Sequence, residues 1–226
     1  MSTIYQLERD NGLDLLLHTP GGDLAATEAI VTYLREMFED IRVVVPQLAM
    51  SAGTMMALAA DEIVMGKHSS LGPIDPQVNG TPAHGIIEEF ENGAAAIRDS
   101  EPTGPLYAQI IDKYGPALVG ECRKAVAWAE DLVEEWLATR MLEGDPDAED
   151  KIEKIKTEFG DHALTKSHAR HLSADQADDA GLVVTKLEDD DELQDAVLSA
   201  HHAFQQTIAS PPTAKITQNP TGLPHL

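Results

Sequence analysis

Residues 13–46 read LDLLLHTPGGDLAATEAIVTYLREMFEDIRVVVP, and their pattern decides the fold. Leu13 to His18 is a short apolar run ending in T-P-G-G-D, and Ile41 to Pro46 is a second run rich in β-branched residues, so both read as buried strands. Between them Leu24, Ala25, Ala29, Ile30, Tyr33, Leu34 and Met37 recur at helical spacing. A strand, a helix and a strand of this length are too long for a hairpin and suit a parallel crossover. The pattern then repeats. QLAMSAG forms a turn, Thr54 to Ala60 a short helix of small apolar residues, and Glu62 to Met65 a third strand. Strands alternating with helices predict an α/β fold built on a mostly parallel sheet.

Outward from this region, Lys67 to Pro82 (KHSSLGPIDPQVNGTP) is dense in Gly, Pro, Ser and Asn, which predicts a long ordered loop or a linker to a lid. Helices are expected over about 85–98, 104–114 and 116–143, the last with Leu118, Cys122, Val126, Ala129, Val133, Trp136 and Leu137 on one face. A short charged helix over 149–159 follows. Ser173-Ala-Asp-Gln176 has the form of a capping box opening a helix that ends at Gly181, before a short strand LVV. The acidic run LEDDDEL (187–193) reads as a solvated helix start. The expected organisation is one domain over 1–209 with a helical insertion at about 84–115 and a helical C-terminal half, then a proline-rich extended tail over 210–226.

Composition narrows the partners. The 226 residues are 42% hydrophobic and 24% charged, enough for a real core. Lys plus Arg number 16 against 39 Asp plus Glu, a formal charge of -23, which argues against nucleic acid or an anionic membrane as partner. Cys122 is the single cysteine, so no intrachain disulfide forms. No apolar run approaches the roughly 18 residues of a spanning helix. MSTIYQLERDNG lacks a basic segment followed by an apolar one, so a soluble cytoplasmic protein without a secretory signal is expected.

Two features fall at the carboxyl ends of neighbouring strands, where open α/β sheets place their ligands. In HTPGGD (18–23) consecutive glycines let the backbone turn sharply and aim N–H groups at a cavity, where they can hold a developing oxyanion. In AMSAGT (49–54) Ser51 sits at a strand-to-helix turn beside helix N-terminal amides, which makes it a candidate nucleophile. Taken singly, a Gly-Gly after Pro is a turn and a Ser before a helix is a cap; their coincidence favours a site. Neither G-x-x-x-x-G-K-[ST] nor G-x-G-x-x-G is present at these turns, which disfavours a nucleotide. The nine histidines show no metal-ligand spacing, so no metal or cofactor is expected, and His18 is expected to bond neighbouring backbone.

HTPGGDLAATEAIV and VVVPQLAMSAGTMMALAADEIVMGKHSSLGPIDPQ resemble the serine dehydrogenase proteinase family, relatives of signal peptide peptidase A in the Clp-protease and crotonase superfamily; KSHARHLSADQADDAGLVV (166–184) resembles that superfamily's closing helix and strand. The resemblance implies a Clp/crotonase-like fold of repeated ββα and βαβ units. It also implies a serine peptidase with Ser51 as nucleophile, the backbone N–H groups of Gly22 and Ala52 as oxyanion hole with Gly21 in support, and assembly into a trimer or larger ring. Family members often carry an upstream strand; this sequence starts almost at HTPGG, either as a shortened member or as a piece without its beginning, and in both cases the first strand of the fold is expected to be missing from it.

A serine hydroxyl needs a neighbour to take its proton. Aligned with the Clp proteolytic subunit, Asp75 of GPIDPQ stands where that family has histidine, and Ala169 stands where it has aspartate. The signal-peptide-peptidase relatives use a Ser-Lys dyad, and Lys124 in ECRKAVAWAEDLVEEWL is the matching candidate, with Asp75 and His168 as possible supporting groups. On a helical wheel Lys124 falls with Asp131 and Glu135, a charged face, so a solvated lysine is the competing reading. The leading expectation is a serine endopeptidase acting on extended or unfolded peptide. A catalytically silent oligomeric scaffold is the alternative, and a crotonase-type acyl-CoA enzyme ranks third.

Overall fold

The computed structural model describes residues 3–4, 7–160, 169–209 and 215–220. Four parallel strands form the central sheet in the order β1 (Leu13–Leu16), β2 (Ile41–Val45), β4 (Glu62–Met65) and β8 (Val184–Lys186). Leu15 pairs with Val43, Val43 with Ile63, and Ile63 with Val184, so one row of side chains runs across the sheet. Along each strand successive side chains alternate between the two faces. Val43, Val45, Ile63 and Met65 belong to the main core, whereas Val44 and Val64 pack on the opposite side with Leu187 and Val197.

Helices cover both faces. α1 (Leu24–Met37) links β1 to β2 and buries Thr27, Val31 and Leu34. α2 (Ala52–Leu58) links the short strand β3 (Leu48–Ala49) to β4 and is buried along nearly its whole length. α5 (Leu118–Ala138) contributes Ala129, Val133, Trp136 and Leu137 to the same core, and α6 (Ala148–Gly160) adds Ile152, Ile155 and Phe159. Side chains of this kind contribute roughly 1.5–3 kcal/mol each on burial. The second face lies under α8 (Asp191–Ile208), through Leu193 and Val197. α3 (Ala83–Arg98) and α4 (Gly104–Ile111) pack against each other, and α3 also packs against α5.

Several details differ from the pattern reading. The buried stripe of α1 is narrower than its apolar set: Ala29 and Ile30 face solvent, because the apolar positions span more of the wheel than one contact can cover. The 67–82 segment is more regular than a loop. It holds β5 (Ser70–Leu71), paired in parallel with β3, and a hairpin of β6 (Gln77–Val78) and β7 (Thr81–Pro82). Asn79 and Gly80 turn that hairpin with φ of 53° and 77°, the left-handed pair that a two-residue turn requires. β8 begins later than LVV, because Leu182 is taken into the core after the left-handed turn at Gly181.

The closing segment follows its sequence signal. Ser173 accepts from the Gln176 amide and Gln176 returns the bond to the Ser173 amide, a complete capping box at the start of α7 (Ala174–Ala180). Leu172, just before it, pairs antiparallel with Leu71 and so fastens the closing segment to β5. Ser173→Ala is expected to lower stability by about 1 kcal/mol, read from urea unfolding at unchanged slope. A midpoint indistinguishable from the parent would contradict this account of the helix start.

Candidate active site

Ser51 stands at the N-cap of α2, yet its side chain makes no capping hydrogen bond. Its backbone lies at φ 52° and ψ −119°, a region that costs a non-glycine residue of order 1–3 kcal/mol and persists only where the surroundings enforce it. Those surroundings are the glycine turn. Gly21, at φ 117°, lies so close that a Cβ there would come within 2.9 Å of Ser51 Cβ, 3.1 Å of Met50 O and 3.5 Å of Ser51 Oγ. Any side chain at position 21 would therefore collide with the serine.

Thr19 joins the two bends. Its amide donates to Leu48 O, its carbonyl accepts from Met50 N, and its Oγ1 accepts from Gly21 N at 3.1 Å. On its other side the Thr19 methyl fills the space beside Gly53, where a Cβ would meet Cγ2 at 2.4 Å. The Gly22 and Ala52 amides, in contrast, donate no hydrogen bond among the described residues. Gly22 faces open space and Ala52 begins α2, whose first amides have no intrahelical partner. The two bends thus carry two N–H groups without a hydrogen-bond partner among the described residues, and a Ser51 hydroxyl that makes no capping bond.

The GPIDP loop completes the surroundings. A Cβ at Gly72 would come within 2.5 Å of Met50 Cε and 3.2 Å of Met50 Cα, so the loop lies directly against the residue before Ser51. Thr54, fully buried, holds it there: Oγ1 lies 2.7 Å from Ala49 O and 2.9 Å from Gly72 O, and accepts from Gly72 N at 2.9 Å. Asp75, 1% exposed, follows in the same loop. Ser70 Oγ meets His171 Nδ1 at 2.7 Å, tying β5 to the closing segment.

Of the sequence candidates, Gly21, Gly22, Ser51 and Ala52 come from the two adjoining bends. Lys124 lies on α5 and is exposed, with no hydrogen bond or ion pair among the described residues. His168 lies outside the described residues. No group of three or more His, Cys, Asp or Glu side chains gathers into a metal-binding cluster among those residues. Sequence reading did not single out Thr19 or Thr54, whose roles depend on contacts between separate turns. Among the described residues His18 shows no side-chain bond to backbone, the partner expected of it; its Nδ1 lies 3.2 Å from His201 Nε2, on a helix far along the chain.

A parallel sheet flanked by helices, with a strained serine at a strand-to-helix turn against a glycine bend, is consistent with a ClpP-like fold. The family model for ClpP-like SDH-type serine proteinases matches residues 1–220, and the chain belongs to that family. Among curated proteins it is similar to the uncharacterised MJ1495 of Methanocaldococcus jannaschii, 34% identical over 165 residues, covering 72% of this chain and 51% of that protein. It is also similar to the uncharacterised MJ0137 of the same organism, 33% identical over 148 residues, covering 58% of this chain and 52% of that protein. The matches thus span about half the length of these relatives. No solved structure matches the chain significantly. No helix among the described residues is long and apolar enough to cross a membrane.

Gly53→Ala tests the contact between the bends, since the added methyl displaces Thr19. It is expected to destabilise by about 1–3 kcal/mol in chemical denaturation. Thr19→Ser in the same background, which removes the opposing methyl and keeps the hydroxyl, is expected to recover most of that loss. An unperturbed Gly53→Ala protein would contradict the packing described.

Proposed function

We propose that the protein is a serine endopeptidase that hydrolyses peptide bonds through an acyl-enzyme formed on Ser51. The observation that carries this reading is the unused hydroxyl of Ser51 in a strained bend, beside the unengaged amides of Gly22 and Ala52. Ser51 Oγ attacks the scissile carbonyl carbon, and the carbonyl oxygen, as it gains charge, receives the two N–H groups. The amine departs with a proton, and water then hydrolyses the ester and frees the serine. Substrate lies extended beside the catalytic turn, presenting its backbone as a strand. No metal or cofactor enters these steps.

Lys124 is the group proposed to take the serine proton, by resemblance to the Ser-Lys relatives. A lysine serves as base only when desolvated. Lys124 is exposed, so this role requires that substrate or another copy of the chain cover it. The proposal includes a single domain over 1–209 with its helical insertion and tail, homo-oligomeric assembly into a trimer or larger ring, and a cytoplasmic setting. The exposure of Lys124 also favours the second reading, an assembled scaffold that keeps the fold without a competent base.

A fluorophosphonate probe followed by peptide mass mapping is expected to place one adduct on Ser51, absent in Ser51→Ala. That variant is expected to lose peptide hydrolysis by about 10³-fold or more. Lys124→Ala is expected to lose hydrolysis while keeping its assembly in size-exclusion chromatography. A folded, assembled protein that takes no adduct and cleaves no unfolded peptide would select the scaffold reading.

A further inference from the structure

The histidine that precedes the glycine turn is held by the last large helix of the fold. α8 presents Leu193, Val197, His201 and Gln205 at intervals of one turn, all on one stripe. Leu193 and Val197 lie on the second face of the sheet beside Val44 and Val64. His201, 6% exposed, continues the stripe to the end of β1, where its Nε2 meets His18 Nδ1 at 3.2 Å with ring centroids 4.9 Å apart. Gln205 Nε2 also lies 3.2 Å from His201 Nε2. His201 Nε2 thus lies within hydrogen-bond reach of both His18 Nδ1 and Gln205 Nε2, and between the two neutral rings one nitrogen donates and the other accepts. His18 adjoins Thr19, whose bonds to Leu48, Met50 and Gly21 fix both bends of the site.

We propose that His201 is a positioning residue for the Gly21–Gly22 turn, and that protonation at the His18–His201 contact releases α8 from the end of β1 and loosens that turn. A proton on whichever of the two facing ring nitrogens accepts removes the acceptor from the His18–His201 contact and sets N–H against N–H. The groups that act on His201 electrostatically are themselves histidines: His18 just after β1, His202 from α8, and His68 from the loop after β4. His68 in turn acts on Glu188, the carboxylate that accepts from Lys67 N. Among the described residues no carboxylate stands against His201 to hold a positive ring. Burial lowers the pKa of both His18 and His201 below the ordinary 6.5.

The sign follows from linkage. The docked state holds both rings neutral, and the released state binds protons with ordinary affinity. Docking is therefore at full strength above pH 6.5 and is lost as the pH falls below it, by up to about tenfold per pH unit for each proton taken up. The consequence for Ser51 reactivity rests on the peptidase reading; the consequence for helix and turn does not.

Hydrogen exchange with mass-spectrometric readout on the full chain separates the two. After correction for intrinsic rates, peptides covering 13–24 and 191–208 are expected to lose protection by about tenfold or more between pH 7.5 and 5.5, while α5 keeps its own. In His201→Gln, which keeps a polar side chain but does not titrate there, and in His18→Asn, the difference between the two pH values is expected to shrink, and in the double variant to disappear. Protection of both segments in the parent that is unchanged by pH, or the same acid loss in the double variant as in the parent, would overturn the proposal. Fluorophosphonate labelling of Ser51 over the same range reads the catalytic consequence separately. A pH-sensitive exchange pattern with no labelling at any pH would contradict the peptidase reading and leave the histidine contact supported.

Discussion

Everything at the site depends on one close approach: the backbone of Gly21 against the side chain of Ser51, with Thr19 bonded to both bends. The serine is held at positive φ because the helix behind it is buried and the glycine turn in front leaves it no room to relax. Glycine at 21 answers the same constraint from the other side, since no Cβ fits there and its φ of 117° favours a residue without one. The strain is local, and the parallel sheet supplies what opposes it. Thr19, just after β1, pairs in parallel with Ala49 at the end of β3, so the turns that carry Gly21 and Ser51 emerge side by side.

The second layer of support comes from the GPIDP loop and from α8 on the second face of the sheet. Thr54 Oγ1 gathers Ala49 O, Gly72 O and Gly72 N around one buried hydroxyl, so β3 and the loop bearing Asp75 cannot separate without exposing unpaired polar groups. On the opposite face α8 covers Val44 and Val64 and then reaches His18, which connects the end of the chain's helical half to the glycine turn. The site is therefore fastened from both faces of the sheet. One fastening is an uncharged threonine network and the other a pair of titratable rings, and only the second can respond to pH.

Much of this was legible in the residues. Short apolar runs separated by helical periodicity marked β1, β2 and β4, and Gly-Gly after one strand with Ser after the next marked the two bends. The capping box at Ser173 was readable because both of its bonds lie within four residues. The Asn79-Gly80 hairpin turn was present in the sequence but submerged in a segment whose Gly and Pro content read as loop. The contacts of Thr19, Thr54 and His201 were not legible. Each joins turns or helices distant along the chain, and a threonine or histidine in isolation carries no sign of its partner. Lys124 shows the complementary limit: family resemblance selected it, the helical wheel set it on a charged face, and the structure finds it exposed there.

The most direct test is a crystal structure of the full chain carrying a phosphonate on Ser51. The account predicts the phosphoryl oxygen at about 2.7–3.1 Å from both Gly22 N and Ala52 N, with Ser51 retaining positive φ against Gly21. A phosphoryl oxygen turned away from both amides, or a Ser51 backbone relaxed to negative φ with the glycine turn drawn apart from it, would contradict it.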